Sequence, residues 1–118
     1  MSNYAVGIDI GGTNTKFGIV DRNGHIIEQD RMASNEHEEV GEFIEELISK
    51  LDPMIQRAGG KSNFAGIGVG APNGNYYTGT IEYAPNLKWK GIIPIAKMFT
   101  DRTGLFYNIQ VYDKLSDS

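Results

Sequence analysis

The segment DIGGTNTKFGIVD, at residues 9–21, places polar and flexible residues between two apolar runs, and their types suit phosphate and metal binding. The pair Gly11–Gly12 would let the backbone approach a ligand closely, and N–H groups that converge in such a turn bind anions. Thr13 adds a hydroxyl donor, and Lys16 adds a positive charge. Asp9 provides a carboxylate that can hold Mg²⁺ directly or through water. The pattern predicts a site for a nucleoside triphosphate and its metal ion; the alternative interpretation is a tight turn without a ligand.

Two other glycine-rich motifs are excluded by their spacing. The sequence contains no G-x-x-x-x-G-K-[ST] loop, and GIGVGAPNG at residues 66–74 does not have the spacing G-x-G-x-x-G. The site is therefore neither a Walker A loop nor a Rossmann dinucleotide site.

The elements that must position this turn follow from the hydrophobic periodicity. Alternating or continuous apolar runs predict strands at 4–10, 16–21, 25–33, 64–72, 79–83 and 106–113. An amphipathic stripe predicts a helix at 36–58, and a second helix is predicted at 93–104. Asn23-Gly24 is a strong hairpin signal between the second and third strands. The order predicts an α/β fold, a mixed sheet with three antiparallel N-terminal strands and helices packed on it.

The first helix carries its own start and stop signals. Asn35 with Glu38 three residues later resembles a capping box, and Gly59–Gly60 is typical of a helix end. Pro53 predicts either a kink or the start of a second short helix.

Composition narrows the function classes. The 118 residues correspond to one domain, and the net charge of −4 without a Lys/Arg cluster argues against binding nucleic acid or an acidic membrane. No cysteine is present, and His25 and His37 are isolated, so neither a disulfide nor a zinc site is expected. No apolar run reaches the ~18 residues of a membrane span, and no signal peptide precedes Tyr4, so we expect a cytoplasmic protein.

Three ordered segments carry a family resemblance. DIGGTNTKFGIVD resembles the first phosphate motif of the sugar-kinase, heat-shock ATPase and actin superfamily. GIGVGAPNGN and YAPNLKWKGIIPI resemble, in order, the sugar-site segments of the ROK family (repressors, open reading frames, kinases), whose kinases include bacterial glucokinases. FTDRTGL resembles the helix that precedes the family's catalytic strand. The resemblance implies that residues 1–118 form a ribonuclease H-like, actin-like ATPase lobe, the N-terminal lobe of a kinase whose second lobe is absent.

The resemblance also implies roles for particular residues. It implies that Asp9, Gly11, Gly12 and Thr13 face the phosphates of ATP, that Ala71, Pro72, Asn73 and Gly74 wall a hexose pocket for a sugar such as glucose, and that Asn86 bonds a sugar hydroxyl. The family usually has glycine where this chain has Asn73, but asparagine tolerates a left-handed backbone, so the loop can keep its shape. The alternative for Asn86 is a simple turn residue after Pro85.

Several aromatic residues near these segments allow two interpretations. Trp89 could stack on a sugar, but packing is the favoured interpretation. Tyr76, Tyr77 and Tyr83 could line a carbohydrate cleft or cover the sheet edge.

The resemblance stops at the last predicted strand. The family's catalytic aspartate lies in an Asn-Asp-Ala-Asn segment, which this chain lacks, as it lacks the family's zinc cluster and second phosphate motif. Asp113 lies at about the right place and is the candidate base; a solvated strand-end aspartate is the alternative. Because phosphoryl transfer needs phosphates, metal, hydroxyl and base held together, we expect this chain alone to be inactive.

Two other function classes remain open. One is a sugar-responsive ROK repressor; such repressors carry a helix-turn-helix before the DIGGT strand, and here only residues 1–3 precede it, which counts against DNA binding. The other is a binding or assembly module on the actin-like fold, against which the sugar-site segments count. A homo-oligomer is compatible with either class.

Overall fold

The computed structural model describes residues 2–104 and 108–114. Its strands are Tyr4–Ile10 (β1), Asn14–Asp21 (β2), Ile26–Ala33 (β3), Phe64–Ala71 (β4), Gly74–Asn75 (β5), Thr80–Glu82 (β6), Ile92–Ile93 (β7) and Ile109–Asp113 (β8). Its α-helices are Val40–Arg57 (α1) and Ile95–Thr103 (α2), and a short 3₁₀ helix spans Lys61–Asn63.

A mixed sheet with the order β3-β2-β1-β4-β8 forms the centre of the chain. β1 and β2 are antiparallel, as are β2 and β3, so the predicted N-terminal meander is confirmed. β4 is parallel to β1, and β8 is parallel to β4. Because the carboxyl ends of parallel strands meet at one edge of a sheet, the residues that follow β1, β4 and β8 are brought together there.

The hairpin between β2 and β3 is stabilised by Asp21. Its Oδ1 accepts the backbone N–H groups of His25 and Asn23, each at 2.9 Å. The bond from the His25 N–H has the larger effect, and it lowers the pKa of the Asp21 carboxyl below its ordinary value. Gly24 has a φ of 85°, which glycine adopts without strain, so the predicted Asn-Gly hairpin is confirmed.

Helix α1 buries the predicted stripe against the sheet. Phe43, Leu47 and Leu51 are each at most 2% exposed, and Val40 is half-buried against the same core. The helix continues through Pro53 to Arg57 as one element, so a second short helix is not formed. Its end at Gly59–Gly60 is confirmed: both glycines have positive φ, and the Gly60 N–H donates to the Ile55 carbonyl at 2.9 Å.

The predicted start of α1 is wrong. The helix begins at Val40 with Glu39 as its N-cap, and no side chain caps it, so Asn35 and Glu38 do not form a capping box. Residues before the helix are held by distant groups instead: Lys88 Nζ contacts Glu38 Oε2 at 3.0 Å, and Trp89 Nε1 donates to the His37 carbonyl at 3.1 Å. These long-range contacts override the local capping pattern.

The remaining boundaries differ from the predictions by a few residues. β2 begins earlier, at Asn14, and the predicted strand at 79–83 is the short β6, which pairs with β5 and β7 in a small second sheet. The second helix spans Ile95–Thr103 and ends at Gly104, whose φ is 76°. The predicted strand at 106–113 is found as Ile109–Asp113; residues 106 and 107, like Leu105 of the FTDRTGL segment, lie outside the described residues.

The face of the sheet opposite α1 carries a cluster of glycines. Gly7 pairs with Gly18 and Gly68, and Gly70 pairs with Asp9, so these glycines share one face. A shallow depression of about 400 Å³ lies over them, with Asp9, Lys16 and Tyr112 at its margin. Among the helices of the described residues, none is long and apolar enough to cross a membrane.

Candidate active site

The turn between β1 and β2 is held by two backbone hydrogen bonds and presents free backbone donors. The Gly11 N–H donates to the Asn14 carbonyl at 2.9 Å, which closes the turn, and the Thr13 carbonyl accepts the Ser34 N–H at 2.8 Å. Within residues 2–104 and 108–114, the N–H groups of Gly12 and Thr13 donate no hydrogen bond. Both residues line the same pocket, and free amides at one pocket are suited to an anion, which is the chemistry that the sequence predicts here.

The predicted sugar residue Asn86 lies against this turn. A Cβ added to Gly12 would lie 3.1 Å from the Asn86 carbonyl oxygen and 3.3 Å from its Cβ. Glycine at position 12 therefore allows the segment after Ala84 to approach the turn closely. The side chain of Asn86 is exposed, so it is available to a ligand beside the turn.

A lysine that the sequence interpretation missed contacts the candidate metal ligand. Lys114 Nζ lies 2.6 Å from Asp9 Oδ1, and the side chain of Lys114 is 21% exposed. Lys114 and Asp9, together with Gly11–Asn14 and Lys16, line a pocket of about 260 Å³, named here the glycine-turn pocket. No local motif marks Lys114, because its position depends on the pairing of β8 with β4.

Lys16 supplies a second cation to the same pocket. It is the register partner of Asp9 across β1 and β2, so the two side chains lie on the same face of the sheet. The side chain is exposed, and it makes no ion pair with any residue that the structure describes. Lys16 is therefore a free positive charge beside the turn.

The second predicted segment forms a loop at the end of β4. Asn73 has a φ of 58°, so the asparagine adopts the left-handed backbone that was expected of it. Its Nδ2 donates to the carbonyls of Glu82 and Tyr83 at 3.0 and 3.2 Å. Ala71 and Pro72 are buried, and a Cβ on Gly74 would lie 2.5 Å from the Tyr112 carbonyl, so the loop is tightly packed against β8.

This loop borders a second pocket of about 580 Å³, named here the loop pocket, lined by Asn73–Tyr77, Glu82, Tyr112 and Asp113. Glu82 Oε2 accepts hydrogen bonds from Thr80 Oγ1 at 2.7 Å and from Asn75 Nδ2 at 3.1 Å. The bond from the Thr80 hydroxyl has the largest effect, and together these donors lower the pKa of Glu82. Glu82 is therefore a fixed anionic acceptor and a poor proton acceptor near neutral pH.

Asp113 and Lys114 are adjacent in the chain but line different pockets. Asp113 Oδ1 accepts the Asn73 N–H at 3.1 Å at the loop pocket, whereas Lys114 contacts Asp9 at the glycine-turn pocket. The candidate base is exposed and lies beside Asn73 and Gly74, two of the predicted sugar residues. The end of β8 thus joins the two candidate ligand sites.

The aromatic residues divide between packing and surface. Trp89 is 5% exposed, and its ring centroid lies 4.5 Å from that of Phe43, which confirms packing as its role. Tyr76 and Tyr77 border the loop pocket and are 52% and 93% exposed, and Tyr76 also contacts the ring of Tyr112. A contact of these tyrosines with a carbohydrate stays a prediction.

The oxygen atoms around Asp9 can bind Mg²⁺ only together with a phosphate ligand that completes the metal's coordination shell. Mg²⁺ in phosphate sites takes one or two carboxylates and completes its shell with phosphate oxygens and water. Asp9 Oδ1 is taken by Lys114, and Oδ2 makes no bond to any described residue. The described part of the chain holds no group of three or more His, Cys, Asp or Glu side chains that could bind a metal ion. The residues therefore fit a Mg²⁺ held mainly by a ligand's phosphates.

Comparison with known sequences points to one family. A family model described as the ROK family matches residues 5–111. Over 102 residues the chain is 32% identical to the putative xylose repressor of Caldicellulosiruptor sp. strain Rt8B.4, a match that covers 85% of this chain and 25% of that protein. Over 104 residues it is 28% identical to the glucokinase of Halalkalibacterium halodurans, covering 86% of this chain and 31% of that protein. The chain thus spans about a quarter to a third of the length of these relatives.

Solved structures confirm the fold. The chain superposes with a TM-score of 0.74 on a ROK family glucokinase from Streptomyces griseus that was crystallised with glucose and AMPPNP. The match covers 93% of this chain and 33% of that one, at 23% sequence identity. The predicted α/β fold, a mixed sheet with helices packed on it, is therefore confirmed over nearly the whole chain.

Proposed function

Because the chain belongs to the ROK family, we propose that it is the N-terminal lobe of an ATP-dependent hexose kinase of the glucokinase type. In the complete enzyme the reaction would transfer a phosphoryl group from ATP to a sugar hydroxyl. The observation that carries the proposal is the end of β8, where Asp113 lines the loop pocket and Lys114 lines the glycine-turn pocket. A kinase needs a hydroxyl site and a phosphate site near each other, and the lining of the two pockets by consecutive residues is what supports the proposal.

The glycine turn is the proposed phosphate site. The free N–H groups of Gly12 and Thr13 and the Thr13 hydroxyl would donate to phosphate oxygens, while Gly11 closes the turn that aims them. Lys16 would offset phosphate charge from the same face of the sheet. Asp9 Oδ2 would hold Mg²⁺, directly or through water; a bound Mg²⁺ supplies charge neutralisation on the transferred phosphate.

The loop pocket is the proposed hexose site, and Asn86, which lies against Gly12 of the glycine turn, is proposed to reach the same sugar. The buried pair Ala71–Pro72 and the left-handed Asn73 fix the loop, and Gly74 allows its close packing, so a sugar would meet a preformed wall. Asn86 would bond a sugar hydroxyl from the side of the glycine turn. Asp113 would accept the proton of the attacking hydroxyl, since its carboxylate is exposed in the pocket.

The 118-residue chain is proposed to be inactive by itself. It spans about a third of the glucokinase from H. halodurans, and the complete kinase would contribute further contacts to both substrates. The water that one lobe leaves at both sites would weaken charge interactions with either ligand. Since an ATP-dependent kinase needs a supply of ATP, the proposal includes a cytoplasmic location for the complete protein.

Nuclear magnetic resonance on this chain tests the assignment of the two sites. Titration with ATP should shift the amide signals of Gly12 and Thr13, and titration with glucose should shift those of Asn73, Gly74 and Asn86. Galactitol, an open-chain polyol, is the control for nonspecific polyol effects. Glucose shifts that spread evenly over the surface, or ATP shifts that leave the glycine turn unchanged, would contradict the proposal.

A second candidate function is a sugar-responsive regulator without catalysis, which the similarity to the putative xylose repressor supports. A regulator needs the sugar pocket but has no use for a phosphate site. The same titrations separate the two functions: a regulator would respond to the sugar at the loop pocket and would show no ATP shift at Gly12 or Thr13.

A further inference from the structure

We propose that Lys114 is a phosphate-binding cation of the glycine-turn pocket, and that through it this chain binds the end of a phosphate chain without a divalent metal ion. The inference deepens the proposed function and rests on its phosphate site. Its ligand is defined by chemistry: a terminal phosphate group, whether of free polyphosphate or of a nucleoside triphosphate.

The backbone of the sheet holds Lys114 in this position. The Lys114 N–H donates to the Ala71 carbonyl at 2.9 Å, which extends the pairing of β8 with β4 one residue beyond Asp113. The alkyl chain of Lys114 crosses Gly70, where an added Cβ would lie 3.4 Å from the Lys114 Cγ. Glycine at position 70 thus leaves room for the lysine to reach Asp9 on the next strand.

The ammonium group has bonding capacity to spare. It carries three N–H donors. One contacts Asp9 Oδ1 at 2.6 Å, and the Ile10 carbonyl, at 3.5 Å, lies at the limit of a hydrogen bond. At least one donor therefore remains for a phosphate oxygen in the pocket that Lys114 and Lys16 line together.

In this proposal the Asp9 carboxylate and the Lys114 ammonium take the places that a carboxylate and a metal ion take in other phosphate sites. Asp9 fixes the cation, and the cation faces the anion, so the charges alternate as they do in a carboxylate–Mg²⁺–phosphate arrangement. A Mg²⁺ on Asp9 Oδ2 and the Lys114 ammonium on Oδ1 would lie only a few ångströms apart, and like charges at that distance repel each other. Mg²⁺ should therefore add little to phosphate binding while Lys114 is present, and should add much when Lys114 is removed.

Titration of the 118-residue chain with inorganic tripolyphosphate, followed at the Gly12 and Thr13 amides, tests this inference. The solution contains EDTA in one series and excess Mg²⁺ in the other. The natural chain should bind with EDTA, and Lys114→Ala should bind roughly five- to tenfold more weakly, the effect of one partly exposed charged hydrogen bond. With Mg²⁺, Lys114→Ala should recover most of this loss, while the natural chain changes less than about twofold.

Lys97→Ala is the matched control, because Lys97 also pairs with an aspartate, Asp101, at 2.9 Å but lies on α2 away from the pocket. The Lys97→Ala chain should bind tripolyphosphate with the same affinity as the natural chain. An amide spectrum of Lys114→Ala that matches the natural chain outside the pocket shows that the fold is kept. Lys114→Arg should retain most of the metal-free binding.

Three results would overturn the inference. In the first, Lys114→Ala binds tripolyphosphate with EDTA as well as the natural chain does. In the second, the natural chain binds only when Mg²⁺ is added, which would leave the proposed kinase site intact and remove Lys114 from it. In the third, ATP binds with EDTA more than tenfold tighter than tripolyphosphate and Lys114→Ala leaves that binding unchanged, so that the nucleoside and not the lysine holds the phosphate chain. Failure of the natural chain to bind in either series would contradict the proposed phosphate site as well.

Discussion

The Asp113 carboxylate accepts the backbone N–H of Asn73 at 3.1 Å, and this bond ties the end of β8 to the left-handed residue of the loop after β4. The same loop is held from its other side, where Asn73 Nδ2 donates to the carbonyls of Glu82 and Tyr83. Asp113 therefore positions the loop in addition to its proposed role as proton acceptor. An aspartate with both roles would link the shape of the loop pocket to its proposed chemistry.

Replacing Asp113 with alanine should weaken glucose binding while leaving the phosphate site unchanged. The Asn73 N–H loses its acceptor, and one hydrogen bond to a charged group is worth about 1.5–3 kcal/mol before solvent exposure reduces it. We expect a several-fold loss of glucose affinity, measured from the Gly74 and Asn86 amide shifts. Equal loss at the ATP-responsive amides of Gly12 and Thr13 would show general unfolding and contradict a local role.

Replacing Gly12 with alanine should disturb the contact between the glycine turn and Asn86. The new Cβ would lie 3.1 Å from the Asn86 carbonyl oxygen, so one of the two segments must move. The expected loss is about 1–3 kcal/mol in the free energy of unfolding, as for other overpacked positions. Gly7→Ala is the control, because nothing lies within 4 Å of a Cβ at that position, and it should change stability by less than about 0.5 kcal/mol. Equal effects of the two substitutions would argue against the close approach.

Trp89 should be a stability residue and not a sugar contact. Truncation to alanine removes its contact with Phe43 and its hydrogen bond to the His37 carbonyl, and should lower the free energy of unfolding by about 3–5 kcal/mol. Urea denaturation measures this loss, with Tyr77→Ala, at a 93% exposed position, as the near-neutral control. Trp89 is the single tryptophan, so tryptophan fluorescence reports on this residue alone. If Trp89 only packs in the core, this fluorescence should not change when glucose is added. A saturable change in that fluorescence would favour stacking on the sugar.

The hydrogen bonds of Glu82 should add an acid-sensitive contribution to stability. Since the pKa of Glu82 in the folded chain is below its ordinary value of 4.5, its contribution is complete above that pH and is lost as the pH falls through the folded value. Glu82→Gln should therefore be less stable than the natural chain at pH 7, and the difference should shrink under acid conditions. Glu36→Gln, at an exposed position, is the control. A pH-independent difference for Glu82→Gln would show that its charge is not involved.

Local patterns predicted most of the fold, because they depend on residues close in sequence. The alternation of Val6, Ile8 and Ile10 and the helical stripe of α1 both reflect burial on one side of an element, and the structure follows them. The start of α1 could not be predicted in this way, since residues 35–39 are positioned by Lys88 and Trp89, about fifty positions away. The capping signal was present, but tertiary contacts outweighed it.

In the candidate site, too, features set by short segments could be predicted and features set by long-range contacts could not. The glycine turn and the left-handed Asn73 are properties of short segments and could be anticipated from residue type. Lys114 could not, because its contact with Asp9 depends on the register of β8 against β4 and of β4 against β1. Gly70 leaves room for the Lys114 side chain, and this role can be recognised only when the pairing of the strands is known.

Ligand binding and turnover by the chain itself test the central claim, that this is a kinase lobe with both sites present but incomplete. Isothermal calorimetry with ATP–Mg²⁺ and with glucose should give dissociation constants in the millimolar range or weaker, because a few exposed hydrogen bonds of ~1 kcal/mol each cannot offset the cost of association. A coupled assay for ADP release with both substrates should show no turnover. Micromolar binding of either ligand, or ADP release that disappears in Asp113→Asn, would show that the 118 residues are a working enzyme and would contradict the account.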